Sequence, residues 1–290
     1  MSGIKTLHDV PAPAKLNLFL HVIGRRADGY HLLQSVFMLV DWQDTLHFEM
    51  RPAGRLSRED HREDHGADVL PGDDLCMRAA RALQQASGTS HGAHITLVKR
   101  LPAQAGMGGG SSDAASCLLA LNRLWDLGLS RSALEAIGLR LGADVPFFLR
   151  GRNAWVEGVG EQITPIDLPP ARFVVLKPDQ GLDTARIFCD PGLRRDTQPA
   201  TISGFAVRPY DFGCNDLQPV AQRLCPGVTR ALAWLESQGL APRMTGSGSA
   251  VFARWPHPEP FAARPPEGWT LRECSNLDAH PLVGWANSDG

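Results

Sequence analysis

The sequence predicts an α+β fold in two domains. Segments with period-two alternation and segments with helical spacing are mixed without regular βαβ order. There is no internal repeat, and a proline-rich stretch from Thr164 to Pro170 separates two parts. A length of 290 residues suits two domains of ordinary size. The expected division is 1–163 and 164–290. With 43% hydrophobic and 21% charged residues the chain has globular composition, and it needs no disulfide or metal to fold.

Residues 15 to 22 alternate: Leu16, Leu18, Leu20 and Val22 share one face, and Lys15, Asn17, Phe19 and His21 the other. That strand sets an amine beside an amide. A turn is expected at Arg25 to Gly29, with further strands at Val36–Val40 and Thr45–Met50. Residues 51–72 are polar and charged without an apolar period, which predicts an exposed loop or insertion. A helix over Leu75–Ala86 and a strand over Ala93–Lys99 follow. Helices are expected over Ala114–Leu127 and from about Ser132, where Glu135 could close a capping box, ending at Gly142. Beyond the proline-rich stretch the pattern gives strands at Phe173–Leu176 and Val251–Ala253. Helices are expected at Thr184–Phe188, Asp216–Leu224 and Val228–Gly239.

The formal charge is −2, which argues against nucleic-acid or anionic-membrane partners held by bulk electrostatics. The six cysteines form no C-x-x-C pair, so zinc-ribbon and thioredoxin chemistry are excluded. No apolar run approaches a membrane span, and the N-terminus lacks the apolar core of a signal peptide. A cytoplasmic protein is expected. His61 and His65, four apart, lack the glutamate of H-E-x-x-H and read as part of a solvated charged loop.

The segment that carries chemistry is Gly106 to Ser112. Four glycines in five positions follow a strand and precede a helix. Glycines admit a ligand close to the backbone, and a helix N-terminus presents free N–H groups, so the combination is an anion site suited to phosphate. Ser111 or Ser112 could cap the helix. It is not a Walker A loop, since no Gly-Lys dipeptide occurs. Nor does it satisfy G-x-G-x-x-G, because the third glycine position holds Ser111 or Asp113.

The loop instead resembles the Pro-x-x-x-Gly-Leu-Gly-Ser-Ser segment of the GHMP kinases. Two more segments match that family in order: Pro13-Ala-Lys15-Leu-Asn17-Leu, and Met244-Thr-Gly-Ser-Gly-Ser-Ala-Val-Phe. Asp28-Gly-Tyr30-His31, the triple glycine before Ser111, Gly142-Ala-Asp144-Val-Pro-Phe, Glu157-Gly-Val159-Gly-Glu and Asn215-Asp216-Leu-Gln-Pro-Val narrow the likeness. They resemble the branch that phosphorylates a cytidyl-methylerythritol acceptor in the non-mevalonate isoprenoid precursor pathway. Three departures stand out: Met107 replaces the usual leucine, residues 51–72 are unusually long and charged, and Pro256–Pro266 is proline-rich where the family commonly has a helix.

The resemblance implies an N-terminal domain like domain 2 of ribosomal protein S5, a ferredoxin-like C-terminal domain, and an active site in the cleft between them. It implies an ATP-dependent kinase using Mg²⁺, with transfer to the acceptor's 2-hydroxyl. Asp144, expected at a helix-to-strand junction, would take the hydroxyl proton, and Lys15 would keep that carboxylate ionised. ATP would be held by Pro102, Ala103, Gln104, Ala105, Gly106, Met107, Gly108, Gly109, Gly110, Ser111 and Ser112, with Ser112 also helping to place Mg²⁺. Asn17, Tyr30 and His31 would contact the cytidyl end, with Val159, Thr184 and Phe188 completing the substrate pocket. Alternatives are a kinase for mevalonate or homoserine, the superfamily's decarboxylase branch, and a binding module without activity.

Overall fold

The computed structural model describes residues 4–63 and 70–287. Strands β1 (Thr6–Arg25) and β2 (His31–Arg51) form a long antiparallel hairpin. The two strands expected over 36–40 and 45–50 are one, because the halves of β2 serve different neighbours. Leu33–Phe37 pairs with β5 (Ala154–Gly158), and Thr45–Arg51 pairs with β4 (Gly92–Lys99). Bulges in the β1–β2 ladder interrupt the simple alternation of residues 15–22. As a result β1 feeds three apolar clusters: Val10 and Ala12 one, Leu16, Leu18 and Phe19 a second, Leu20 and Val22 a third.

Residues 51–72 are not simply a loop. Leu56–Arg62 forms β3, an edge strand parallel to β4. Its inward positions include charged Arg58 and Asp60, so no apolar period announced it. Arg58 is ion-paired with Asp60 (2.7 Å) and with Asp74. The His61 side chain is exposed, while His65 lies outside the described residues.

Helix α1 (Leu75–Ser87) is capped by the Asp74 side chain and ends at Gly88. Helix α2 (Gly109–Leu124) packs on β1 and β2, and α3 (Arg131–Leu141) and α4 (Val145–Arg150) pack against α2. The cap of α3 is Ser130, whose hydroxyl accepts from the Ala133 amide. Glu135 does not close a capping box; it pairs with Arg150 on α4 at 3.0 Å. Strand β6 (Gln162–Pro165) completes the first sheet, ordered β3-β4-β2-β5-β6 with β1 on β2.

The second sheet is antiparallel, ordered β10-β7-β9-β8, from β7 (Arg172–Lys177), β8 (Arg243–Met244), β9 (Val251–Arg254) and β10 (Thr270–Ser275). Helices α5 (Thr184–Cys189), α6 (Ile202–Ala206), α7 (Gln218–Leu224) and α8 (Pro226–Ser237) lie between β7 and β8. Residues 255–269 contain no helix. The expected 163/164 division falls within β6, and the chain returns to the first part at its end. There the Leu277 amide bonds the Leu39 carbonyl and the His280 amide bonds the Gly151 carbonyl. Among the described residues, no helix is long and apolar enough to cross a membrane.

Candidate active site

The site is assembled by two glycine turns, one from each part. The first runs from Pro102 to Gly108 and leads into α2; the second is Thr245–Ser249. They are joined backbone to backbone: Ser249 N donates to Gln104 O at 3.1 Å and Ala250 N to Ala105 O at 3.2 Å. Gly106 sits at φ +71°, and a Cβ there would meet the Thr245 carbonyl at 2.3 Å. Gly108 (φ +71°) is the N-cap of α2, and a Cβ there would crowd Phe148 at 3.0 Å and Lys15 Cε at 3.3 Å. Both positions therefore demand glycine.

Because Gly108 holds the cap position, the serines do not cap α2. Ser112 is fully buried and its hydroxyl donates to the Pro13 carbonyl at 2.7 Å, anchoring α2 to β1. Ser111 faces the cavity; Ser112 does not line it. The cap has no side chain to occupy the first-turn amides of α2, so an anion has access to free N–H groups and the positive end of the helix.

The cavity holds about 620 Å³ and is lined by Pro102 through Ser111 together with Lys15, Asn17, Asp144, Val159, Thr184 and Phe188. The second turn contributes Gly246, Ser247 and Gly248. Thr184 Oγ1 and Ser247 Oγ lie 2.6 Å apart and link α5 to this turn.

Lys15 enters the site on β1, whose position is fixed by the bond from its amide to Met107 O at 3.0 Å. Its ammonium is buried, donates to Asn17 Oδ1 at 2.5 Å and stands 3.5 Å from Asp144 Oδ2. It also lies 4.5 Å from the centre of the Phe37 ring. Asp144 is at a helix-to-helix junction, between α3 and α4, rather than at a helix-to-strand one. Its side chain makes no capping bond and is left free to face the cavity.

Asn17 belongs with Lys15 and not with the residues expected at the cytidyl end. Its oxygen takes the Lys15 ammonium and its Nδ2 donates to Ser35 Oγ at 2.9 Å, so both ends of the amide are engaged. In the hairpin register Asn17 lies opposite Phe37, whereas His31 lies opposite Arg25. His31 sits beside the cavity, its ring 5.1 Å from that of Phe188. Burial, then Arg195 and Arg25, lower its pKa and so favour the neutral imidazole. Tyr30 is 64% exposed and does not line the cavity.

Several residues of the site were given no role in it from sequence, although Thr245 and Asn215 lie in segments that match the family. Thr245 is buried and its hydroxyl accepts from the Asn17 amide at 2.9 Å, tying the second turn to β1. Asn215 Nδ2 donates to the carbonyls of Met244 and Gly246, both at 2.8 Å. Beneath the first turn, Lys99 bonds Asp113 at 2.8 Å and Asp44. Burial raises the Asp113 pKa well above the carboxylate range; Lys99 opposes that shift and Asp44 adds to it. For Lys99 itself, burial is outweighed by the two carboxylates, and its pKa is raised. Among the described residues, no group of three or more His, Cys, Asp or Glu could hold a metal ion.

Two family models match the chain: GHMP kinases N terminal domain over residues 74–152, and GHMP kinases C terminal over residues 208–263. The chain is 66% identical to a 4-diphosphocytidyl-2-C-methyl-D-erythritol kinase of Paracidovorax citrulli, over 98% of this chain and 99% of the relative. It is 62% identical to the protein of the same name from Variovorax paradoxus, over 98% and 100%. Among solved structures, a 4-(cytidine 5'-diphospho)-2C-methyl-D-erythritol kinase superposes with a TM-score of 0.72 at 32% identity, covering 93% of this chain and 98% of that one. A homoserine kinase from Cytophaga hutchinsonii has a TM-score of 0.65 at 15% identity, over 97% of both chains, which is likeness of fold alone.

Proposed function

This chain belongs to the 4-diphosphocytidyl-2-C-methyl-D-erythritol kinases of the GHMP kinase family, and on that premise we propose its reaction in atomic terms. The γ-phosphoryl group of ATP passes to the 2-hydroxyl of 4-diphosphocytidyl-2-C-methyl-D-erythritol, giving the 2-phosphate and ADP. The reaction is assigned to the cytoplasm, where ATP is supplied.

The observation that carries this reading is the Lys15–Asp144 pair, 3.5 Å apart, facing a cavity roofed by two glycine turns. Transfer to a hydroxyl needs a proton acceptor, an in-line approach and stabilisation of phosphate charge. Asp144 takes the proton of the 2-hydroxyl as its oxygen attacks. Lys15 favours the ionised form of that carboxylate and holds it in place. Asn17 in turn orients Lys15, a role in place of the pyrimidine contact expected from sequence. The first turn and the N-terminus of α2 receive the ATP phosphates through backbone N–H groups. Tyr30 and His31 receive the cytidyl end, with Val159, Thr184 and Phe188 along the pocket between.

Mg²⁺ fits this site as a companion of the nucleotide. No cluster of acidic or imidazole ligands is found among the described residues, so a bound ion would draw chiefly on nucleotide phosphate oxygens and water. Ser111, which faces the cavity, is the serine able to contribute an oxygen, in place of the Ser112 expected from sequence. When bound, the ion neutralises phosphate charge.

The test is incubation of the protein with ATP, Mg²⁺ and the cytidyl acceptor, with the products weighed by mass spectrometry. The acceptor should gain one phosphoryl group for each ADP formed. ADP formation without mass gain on the acceptor, or with loss of carbon dioxide, would overturn the reading.

A further inference from the structure

Arg195 lies in the segment between α5 and α6 and spends its guanidinium on four acceptors. Nη1 donates to the Leu193 carbonyl at 2.9 Å, and Nη2 donates to the carbonyls of Phe188 at 3.2 Å and Asp190 at 2.8 Å. That leaves Nε, which donates to His31 Nε2 at 3.0 Å. Arginine is a donor at every nitrogen and keeps its proton in proteins. His31 Nε2 must therefore present a lone pair, and the ring's one polar hydrogen must sit on Nδ1. Among the described residues no hydrogen bond engages Nδ1, and the ring lies against Phe188, which lines the cavity.

We infer that Arg195 is a positioning residue that fixes His31 as a hydrogen-bond donor through Nδ1, and that this makes the acceptor site select cytosine over uracil. The inference rests on the cytidyl reading of the site given above. The two bases differ where a donor can discriminate: N3 of cytosine is an acceptor, whereas N3 of uracil carries a hydrogen. An unconstrained imidazole could exchange its tautomer and accept from uracil. A ring whose Nε2 is occupied by Arg195 has no such freedom, so uracil would meet donor against donor. Sites that leave a buried polar group unpaired reject the wrong ligand strongly.

Two measurements test this. The first is the ¹⁵N spectrum of the protein labelled at histidine, with the His31 signals identified by their loss in His31→Gln. Wild type should show the Nδ1–H tautomer, and Arg195→Met should lose that preference. The second is kcat/KM for the cytidyl acceptor and its uridyl analogue. Arg195→Met should reduce the preference for cytidyl by about 10- to 100-fold, while KM for ATP stays within about twofold. An Nε2–H tautomer or an imidazolium in wild type would overturn the proposal without any substitution, so it remains testable if Arg195→Met fails to fold. An unchanged cytidyl preference in a folded Arg195→Met would reduce Arg195 to a structural role. If no cytidyl compound is phosphorylated at all, the proposed function fails and the base selection with it, whereas the tautomer is still decided by the spectrum.

Discussion

Lys15 Nζ stands 3.5 Å from Asp144 Oδ2, although the two residues come from the first strand and from the junction of α3 with α4. The lysine side chain is only 5% exposed and the aspartate 29%, so the pair is partly shielded from water on the lysine side and open on the carboxylate side. That asymmetry suits a carboxylate that must receive a proton from a ligand. Asp144→Asn preserves shape and removes the proposed proton acceptor. It should lower kcat by roughly 10²–10⁴ with little change in ATP affinity. Steady-state kinetics together with ATP titration check this; near-normal turnover in the folded variant would remove Asp144 from the chemistry.

The contact between the two glycine turns gives a second prediction. At Gly106 a methyl group meets both a left-handed backbone and the Thr245 carbonyl. Gly106→Ala should destabilise the protein by about 2 kcal/mol or more and raise KM for ATP about tenfold. Thermal melting and ATP-dependent rates measure the two effects.

The first turn was legible in the sequence because closely spaced glycines between a strand and a helix suit a bound anion and little else. The helix after it was also readable, since Leu118, Leu121 and Trp125 recur at helical spacing and are buried. What joins distant segments was not readable. The pairing of Lys99 with Asp44, the bond from Asn17 to Ser35 and that from Arg195 to His31 all link residues brought together only by the fold. Asn17 shows the cost: its residue type suits a base contact, but its neighbours in the hairpin commit it to Lys15. Strand β3 escaped notice for another reason. Charged Arg58 and Asp60 stand at its inward positions, and its pairing with β4 and the partners of Arg58 make that tolerable.

Arg58 supplies the third prediction. Its side chain is 6% exposed and joins β3 to the capping residue of α1 through Asp74. Arg58→Ala leaves Asp60 and Asp74 without their cation and should cost about 3 kcal/mol, seen as a lower midpoint in urea. Deleting residues 56–62 should be at least as damaging. An unchanged midpoint for either variant would mean that β3 is dispensable.

A fourth prediction concerns pH. His280 is buried where the chain returns to the first part, and burial pushes its pKa down to about 4 from 6.5. Its Nδ1 accepts from the Leu282 amide at 3.1 Å, and Nε2 has no partner among the described residues. Between those two values the unfolded chain binds a proton that the folded one refuses, so stability falls as pH drops from about 6.5 to about 4. The loss should reach about 3 kcal/mol. His280→Leu should flatten this part of the stability curve, as followed by chemical denaturation at stepped pH.

Recognition of the acceptor turns on its cytidyl end. The direct measurement is kcat/KM of the wild-type protein, at saturating ATP and Mg²⁺, for 4-diphosphocytidyl-2-C-methyl-D-erythritol and for methylerythritol phosphate without the cytidyl group. A pocket that binds cytosine should favour the first by at least about 10³-fold, since the smaller compound leaves the pocket's polar groups unpaired. Equal use of the two would contradict the assignment of Tyr30 and His31.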